Sequence, residues 1–212
     1  AYTEFDPSTA NLLLDDMGLK RRKKDDIRLR PDGQPLHIRI EIASVFLGTP
    51  MFELIARQWT EIGVKTELKL EARQLFYTRK SALLHDVGVW GSADELIPVM
   101  DPRWFFPYSE ESIQGIGYAR WFQSHRLKGI EPPLEIKECM RTYQQIEKTP
   151  ESSEQIRLFT QIIDLNQKIL WIIGTVGRIP SLFIVIDTFR HVPQIAVSGR
   201  IFRTPGRPVL EC

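Results

Sequence analysis

The chain has 212 residues, 42% hydrophobic and 26% charged, an ordinary globular composition that suffices for one sizeable domain or one and a half. Lys and Arg total 28 against 27 Asp and Glu, so no global field draws the chain to nucleic acid or to an anionic membrane. No apolar run reaches the roughly 18 residues of a membrane span. The two cysteines, Cys139 and Cys212, give neither zinc-ligand spacing nor a disulfide framework. Ala1 opens the chain without a secretory leader, as expected for an excised piece or a processed product.

In chain order, Asp6-Pro7-Ser8 predicts a helix start: Asp6 accepts from the first free amides and Pro7 suits the first helical position. Leu12, Leu13 and Met17 supply an apolar stripe, and Gly18 a left-handed stop. The basic run Lys20–Lys24 is followed at once by Asp25 and Asp26, so a solvated loop is expected there, not a phosphate patch. Pro31-Asp32-Gly33 is turn chemistry. Leu36, Ile38, Ile40 and Ile42 then alternate with His37, Arg39 and Glu41, which predicts a half-buried strand. Thr49-Pro50 begins a second helix, Gly63 ends it, and Val64, Thr66, Leu68 and Leu70 alternate again. A third helix over Gln74–Leu84 feeds a strand at Asp86–Trp90. The first ninety or so residues thus read as a helix followed by βαβαβ, an α/β sheet.

Residues 92–131 show little periodicity and many aromatics; a loop of that length in a compact domain is usually functional or disordered. Pro132-Pro133 opens a helix with Ile136, Met140, Tyr143 and Ile146 on one face, and a second helix spans Glu154–Ile169, giving a helical hairpin. Leu170–Val176 and Ser181–Ile186 are β-branched, apolar runs that predict almost fully buried strands. From His191 onward only a short strand near Arg200–Arg203 is expected.

Catalytic chemistry is mostly absent. Gly115-Ile116-Gly117 lacks the third glycine and the strand–turn–helix setting of a phosphate loop. His37, His85, His125 and His191 are far apart, so structural roles are expected and neither metal nor cofactor is implied. No nucleophile elbow occurs, and Cys139 reads as a small core residue. Asp94, Glu95 and Asp101 would suit a carboxylate pair of the kind used in glycoside hydrolysis, but nothing in their spacing requires one, and an enzyme is the minority expectation.

Recognition is the stronger signal. The strand Asp86–Trp90 empties at Gly91-Ser92 into a loop holding Asp94, Glu95, Asp101, Arg103 and Trp104, and open α/β sheets place ligands beyond the carboxyl ends of their strands. Trp90, Trp104, Phe105, Phe106, Tyr108, Trp121 and Phe122 supply flat apolar faces suited to peptide side chains or sugar rings. At least half of these seven aromatics are expected to do no more than fill the core.

The order FDPSTANLLLDDMGL, RPDGQPLHIRI, ELIARQWTEIGVKTELK, HDVGVWGSADE resembles the family 5 extracellular solute-binding proteins of ABC importers, the oligopeptide- and dipeptide-binding type. The helical hairpin and the Ile179-Pro180-Ser181-Leu182 run fit as well, so the resemblance covers almost the whole chain. It implies a periplasmic-binding-protein-like (type II) α/β lobe, a mixed sheet flanked by helices with a C-terminal helical hairpin. Residues 1–190 would form the second lobe and 191–212 a segment returning toward a first lobe that this chain lacks. It further implies capture of a peptide or oligosaccharide for permease subunits in the membrane, outside the cytoplasm, with no nucleic acid partner. By position, Trp90 and Gly91 are the ligand-facing residues it points to, with Ser92, Asp94, Glu95, Asp101, Arg103, Trp104 and Trp121 around them. Family members often carry Asp-Pro soon after the Trp; here Asp101-Pro102 follows an apparent insertion through Glu95-Leu96-Ile97-Pro98.

Overall fold

The structure, a computed structural model, describes residues 4–45, 49–91, 97–175, 184–186, 188 and 190. The chain divides into two compact units, Ala1–Gly91 and Ser92–Cys212.

In the first unit, helix α1 (Pro7–Asp16) starts as its residues dictate: the Asp6 carboxylate accepts from the Thr9 amide at 2.9 Å, and Gly18 just beyond the helix has φ +79°. Among the described residues α1 buries none of its own, and Leu12, Leu13 and Met17 stay exposed. The basic run is tied down locally, Arg21 to Asp26 and Arg22 to Asp25, as the adjacent aspartates suggest. Arg28, fully buried, joins this segment to what surrounds it. It donates to the Ile62 carbonyl (2.8 Å), the Leu19 carbonyl and Asp15 (2.6 Å each), and the Asn11 side chain (2.8 Å).

Strand β1 (His37–Ala43), helix α2 (Thr49–Glu61), strand β2 (Lys65–Glu71), helix α3 (Arg73–Ser81) and strand β3 (Val87–Val89) follow. The three strands form one sheet in the order β2-β1-β3, with both pairings parallel, so each helix is a crossover. Register places Ile40 beside Leu68 and Val87, and Glu41 beside Lys69 and Gly88. Expectation and structure part at Glu41. Alternation assigns it to a solvent face, yet it is fully buried, because α3 covers that side of β1.

In the second unit, two short 3-10 turns (Pro98–Met100 and Pro102–Trp104) precede helices α4 (Ile116–Gln123), α5 (Leu134–Ile146) and α6 (Ser152–Ile169). Helix α4 is not legible in the sequence: it is only 8 residues long, shorter than the window over which periodicity becomes decisive. Helices α5 and α6 form the expected hairpin around a core of Phe106, Ile136, Cys139, Met140, Tyr143, Ile146, Leu158, Phe159 and Ile162.

The run beginning at Leu170 is not a strand over residues 170–175. Leu170 instead takes a left-handed conformation (φ 55°) that caps α6, its amide donating to the Asn166 carbonyl at 2.9 Å. Residues 184–186 are likewise outside any strand, and Ile173, Ile184 and Ile186 are exposed where burial was expected. β-branched composition favours a strand only where a partner strand is at hand. Val176, residues 181–183, Arg200–Arg203 and the segment 191–212 lie outside the described residues. Among the described residues no helix is long and apolar enough to cross a membrane.

Candidate functional site

At the end of β3 the Trp90 ring is held by α3. It stacks on Phe76 (5.3 Å between centroids, 23° between planes) and meets Tyr77 edge-on at 5.0 Å. The Arg73 guanidinium lies 5.6 Å from the ring, in cation–π range. Trp90 remains half-buried. At Gly91, among the described residues, a Cβ would meet nothing within 4 Å. Ser92, Asp94 and Glu95 lie outside the described residues.

In the second unit Asp101, Arg103 and Trp104 are brought together. Arg103 Nε is 2.9 Å from Asp101 Oδ1, and the Trp104 indole donates to Asp101 Oδ2 at 3.2 Å. The guanidinium of Arg103 stacks 4.6 Å from the Trp104 ring. This knot spans four consecutive positions and fixes the shape of the loop, and Trp104 is left only 7% exposed. Trp121 packs against the helical core with Arg126 and Lys137 over its ring at 5.5 and 5.7 Å. Phe105, Tyr108 and Phe122 pack on the same core and Phe106 is part of it, so most of the seven aromatics do fill the interior.

The surrounding core is tied by a few polar anchors. Tyr143 Oη donates to the Val99 carbonyl at 3.0 Å, and Asn166 donates to the Phe105 carbonyl at 2.7 Å. Burial pushes the Tyr143 hydroxyl up to about 12 and the Cys139 thiol up to about 11. A thiol so placed is a packing residue and not a nucleophile. Gly115 (φ +58°) lies where a Cβ would sit 2.6 Å from the Pro107 ring, a packing demand that explains the glycine without any phosphate.

One group of residues escaped sequence reasoning. His85, read there as an isolated histidine, lies beside Glu41 and Glu71, with Arg79 also on Glu41. Burial holds the imidazole below its ordinary value, with Arg79 pushing the same way and the two carboxylates opposing. These residues are 30, 14 and 6 positions apart in the order 41, 71, 85 and 79, so only strand register could reveal their convergence.

No protein-family model matches the chain, and no curated protein matches it significantly. Solved structures do. The chain is similar to the oligopeptide-binding protein OppA, at 32% identity and a TM-score of 0.72 over 81% of this chain and 29% of that one. It is similar in fold to the periplasmic binding protein MelB from Agrobacterium fabrum, solved with stachyose, at 15% identity and a TM-score of 0.67 over 80% of this chain and 25% of that one. A periplasmic oligopeptide-binding protein from Thermotoga maritima, solved with mannohexaose, shares 14% identity at a TM-score of 0.56 over 79% of this chain and 29% of that one. The fold is thus α/β and periplasmic-binding-protein-like, and the chain spans less than a third of the length of each of these neighbours.

Proposed function

We propose that this chain is the ligand-facing second lobe (residues 1–190, with 191–212 returning toward a first lobe) of a solute-binding protein serving an ABC importer outside the cytoplasm, and that its solute is an oligopeptide. The observation that carries this reading is the similarity to OppA, 32% identity over 81% of this chain. Trp90, half-buried and braced by α3, supplies an aromatic contact, and the Gly91 backbone, where a Cβ would meet nothing within 4 Å among the described residues, supplies polar groups to a peptide main chain. By the family resemblance, Ser92, Asp94, Glu95, Asp101, Arg103, Trp104 and Trp121 are proposed as further solute contacts; within the second unit Asp101, Arg103 and Trp104 hold one another. The lobes close by hinge motion, and the closed form docks on the permease.

The chain captures and does not hydrolyse. One lobe supplies one wall of the cleft, so binding by this chain alone is weak. The test is an NMR titration of the 212-residue chain with trialanine and, separately, with maltotetraose, following the indole signals. The expected result is a saturable shift of the Trp90 indole with the peptide, removed by Trp90→Ala. A response to the sugar alone makes the protein an oligosaccharide receptor and overturns the peptide reading. Cleavage of either compound restores the carboxylate-pair hydrolase, and nanomolar binding by the chain alone defeats the two-wall picture.

A further inference from the structure

The first unit contains a buried polar cluster outside the residues proposed to meet the solute. Glu41 on β1 and Glu71 at the end of β2 are 0% and 1% exposed at their side chains, and His85, just before β3, is 11% exposed. Parallel register sets Glu71 beside Ala43, two positions beyond Glu41 and on the same face of the sheet. Gly88, beside Glu41 on the other strand, leaves the space that the imidazole fills: a Cβ there would lie 3.2 Å from His85 Nδ1 and 3.3 Å from the Phe76 ring. The Phe76 ring in turn braces His85 at 4.6 Å.

Within this cluster the outward oxygens are held by cations. Arg79 donates to Glu41 Oε1 through Nε (2.9 Å) and through Nη2, while Lys69 lies 3.2 Å and Arg79 Nε 3.6 Å from Glu71 Oε2. The inward atoms turn on one another. His85 Nε2 is 2.5 Å from Glu41 Oε2 and 3.6 Å from Glu71 Oε1, and one ligand atom from each of the three residues lies within 4.8 Å of the other two. All three inward atoms are buried, and among the described residues none of them, nor Glu71 Oε2, has a hydrogen bond of acceptable geometry. Two carboxylate oxygens and an imidazole nitrogen can share at most one proton on the ring. That proton can serve one oxygen and leaves the other buried and unsatisfied, which is costly.

We propose that Glu41, Glu71 and His85 form a three-ligand site for a first-row divalent cation of the zinc type, internal to the first unit. A single cation satisfies all three inward atoms at once, with Arg79 and Lys69 orienting the ligating carboxylates from behind. The donor set of one imidazole and two carboxylates suits zinc, with bonds of about 2.0–2.2 Å and a fourth position for water. Calcium would require about six to eight oxygens, and magnesium an octahedron of oxygens. The two basic side chains moderate the affinity, since they already neutralise the carboxylates.

Zinc binding to the full chain is measured at neutral pH by competition with a zinc indicator, together with the melting temperature and X-ray absorption of the zinc-loaded protein. One equivalent is expected, with a rise of several degrees in Tm at saturation and affinity about 100-fold lower in His85→Gln and Glu71→Gln. His37→Gln, which alters the exposed His37–Glu67 pair, should leave it unchanged. The absorption spectrum of the wild-type chain should show one imidazole and oxygen neighbours only, a readout that stands even if a variant fails to fold. Absence of saturable binding, affinity unaffected in folded His85→Gln, or sulfur or a second imidazole at the metal overturns the proposal.

Discussion

Replacing Arg28 with Met keeps most of the apolar stem and removes the guanidinium. In the structure that group is fully buried and serves five acceptors: the Leu19, Ile62 and Asn11 carbonyls, the Asn11 side chain and Asp15. Breaking a buried charged pair costs about 3–5 kcal/mol, chiefly because the partners left behind lose their donors. Asp15 is 60% exposed at its side chain and rehydrates, which puts the loss near the lower end, about 3 kcal/mol. Arg157→Met is the matched control, because the Arg157–Glu154 pair is exposed on both sides and is worth less than about 1 kcal/mol. Urea denaturation gives the two values, and hydrogen exchange read by peptide shows where the loss lies. Faster exchange is expected in residues 4–45 and not in α5 or α6. A loss below about 1 kcal/mol for Arg28→Met, or one equal to that of the control, would refute the idea that this arginine ties α1 to the turn after α2.

Other changes have equally definite outcomes. Gly63→Ala should destabilise by more than about 1 kcal/mol, because φ is +89° and the new Cβ would lie 2.8 Å from Arg28 Cγ and 3.0 Å from the Asp26 carbonyl; urea midpoints decide it. Ile162→Ala, at a fully buried core position, should cost about 2–5 kcal/mol and speed exchange in α5 and α6. Stability should fall as pH rises above 9, because Cys139 and Tyr143 keep their protons to about 11 and 12 in the fold while the unfolded chain releases them near 9 and 10. Urea midpoints at pH 8 and 10.5 test this, and Cys139→Ala should flatten part of the slope. Gly91→Ala should not lower the urea midpoint, since no described residue lies within 4 Å of the new methyl, and should weaken solute binding if the ligand approaches that backbone.

Much of the fold is legible from the order of residues. Asp6-Pro7, Gly18 and Gly63 mark helix ends because capping and left-handed turns are local chemistry, and the βαβαβ order follows from alternation broken by helical spacing. The hairpin of α5 and α6 is equally plain, since Ile136, Met140, Tyr143 and Ile146 recur at helical intervals and all are buried. The site was legible less evenly. Trp90 and Gly91 stand just past the strand that alternation predicts, because that placement is local; their part in solute binding is proposed. Asp101, Arg103 and Trp104 were found as residue types, but their mutual contacts were not, because a short loop does not announce which of its charges meet.

Composition and periodicity by themselves determined the class of fold, the starts of α1, α2 and α5, and the strand end on which recognition is proposed to centre, because each depends on residues near one another in the chain; α4 was missed, and α3 ends at Ser81 where a helix to Leu84 was expected. Tertiary structure alone decided what lies across the sheet. It buried Glu41 beneath α3, carried Glu71 and His85 to its side through parallel register, and turned Leu170 into a helix cap instead of a strand. Those outcomes depend on which distant segment covers a face, and alternation along a strand shows two faces without saying what will pack on either.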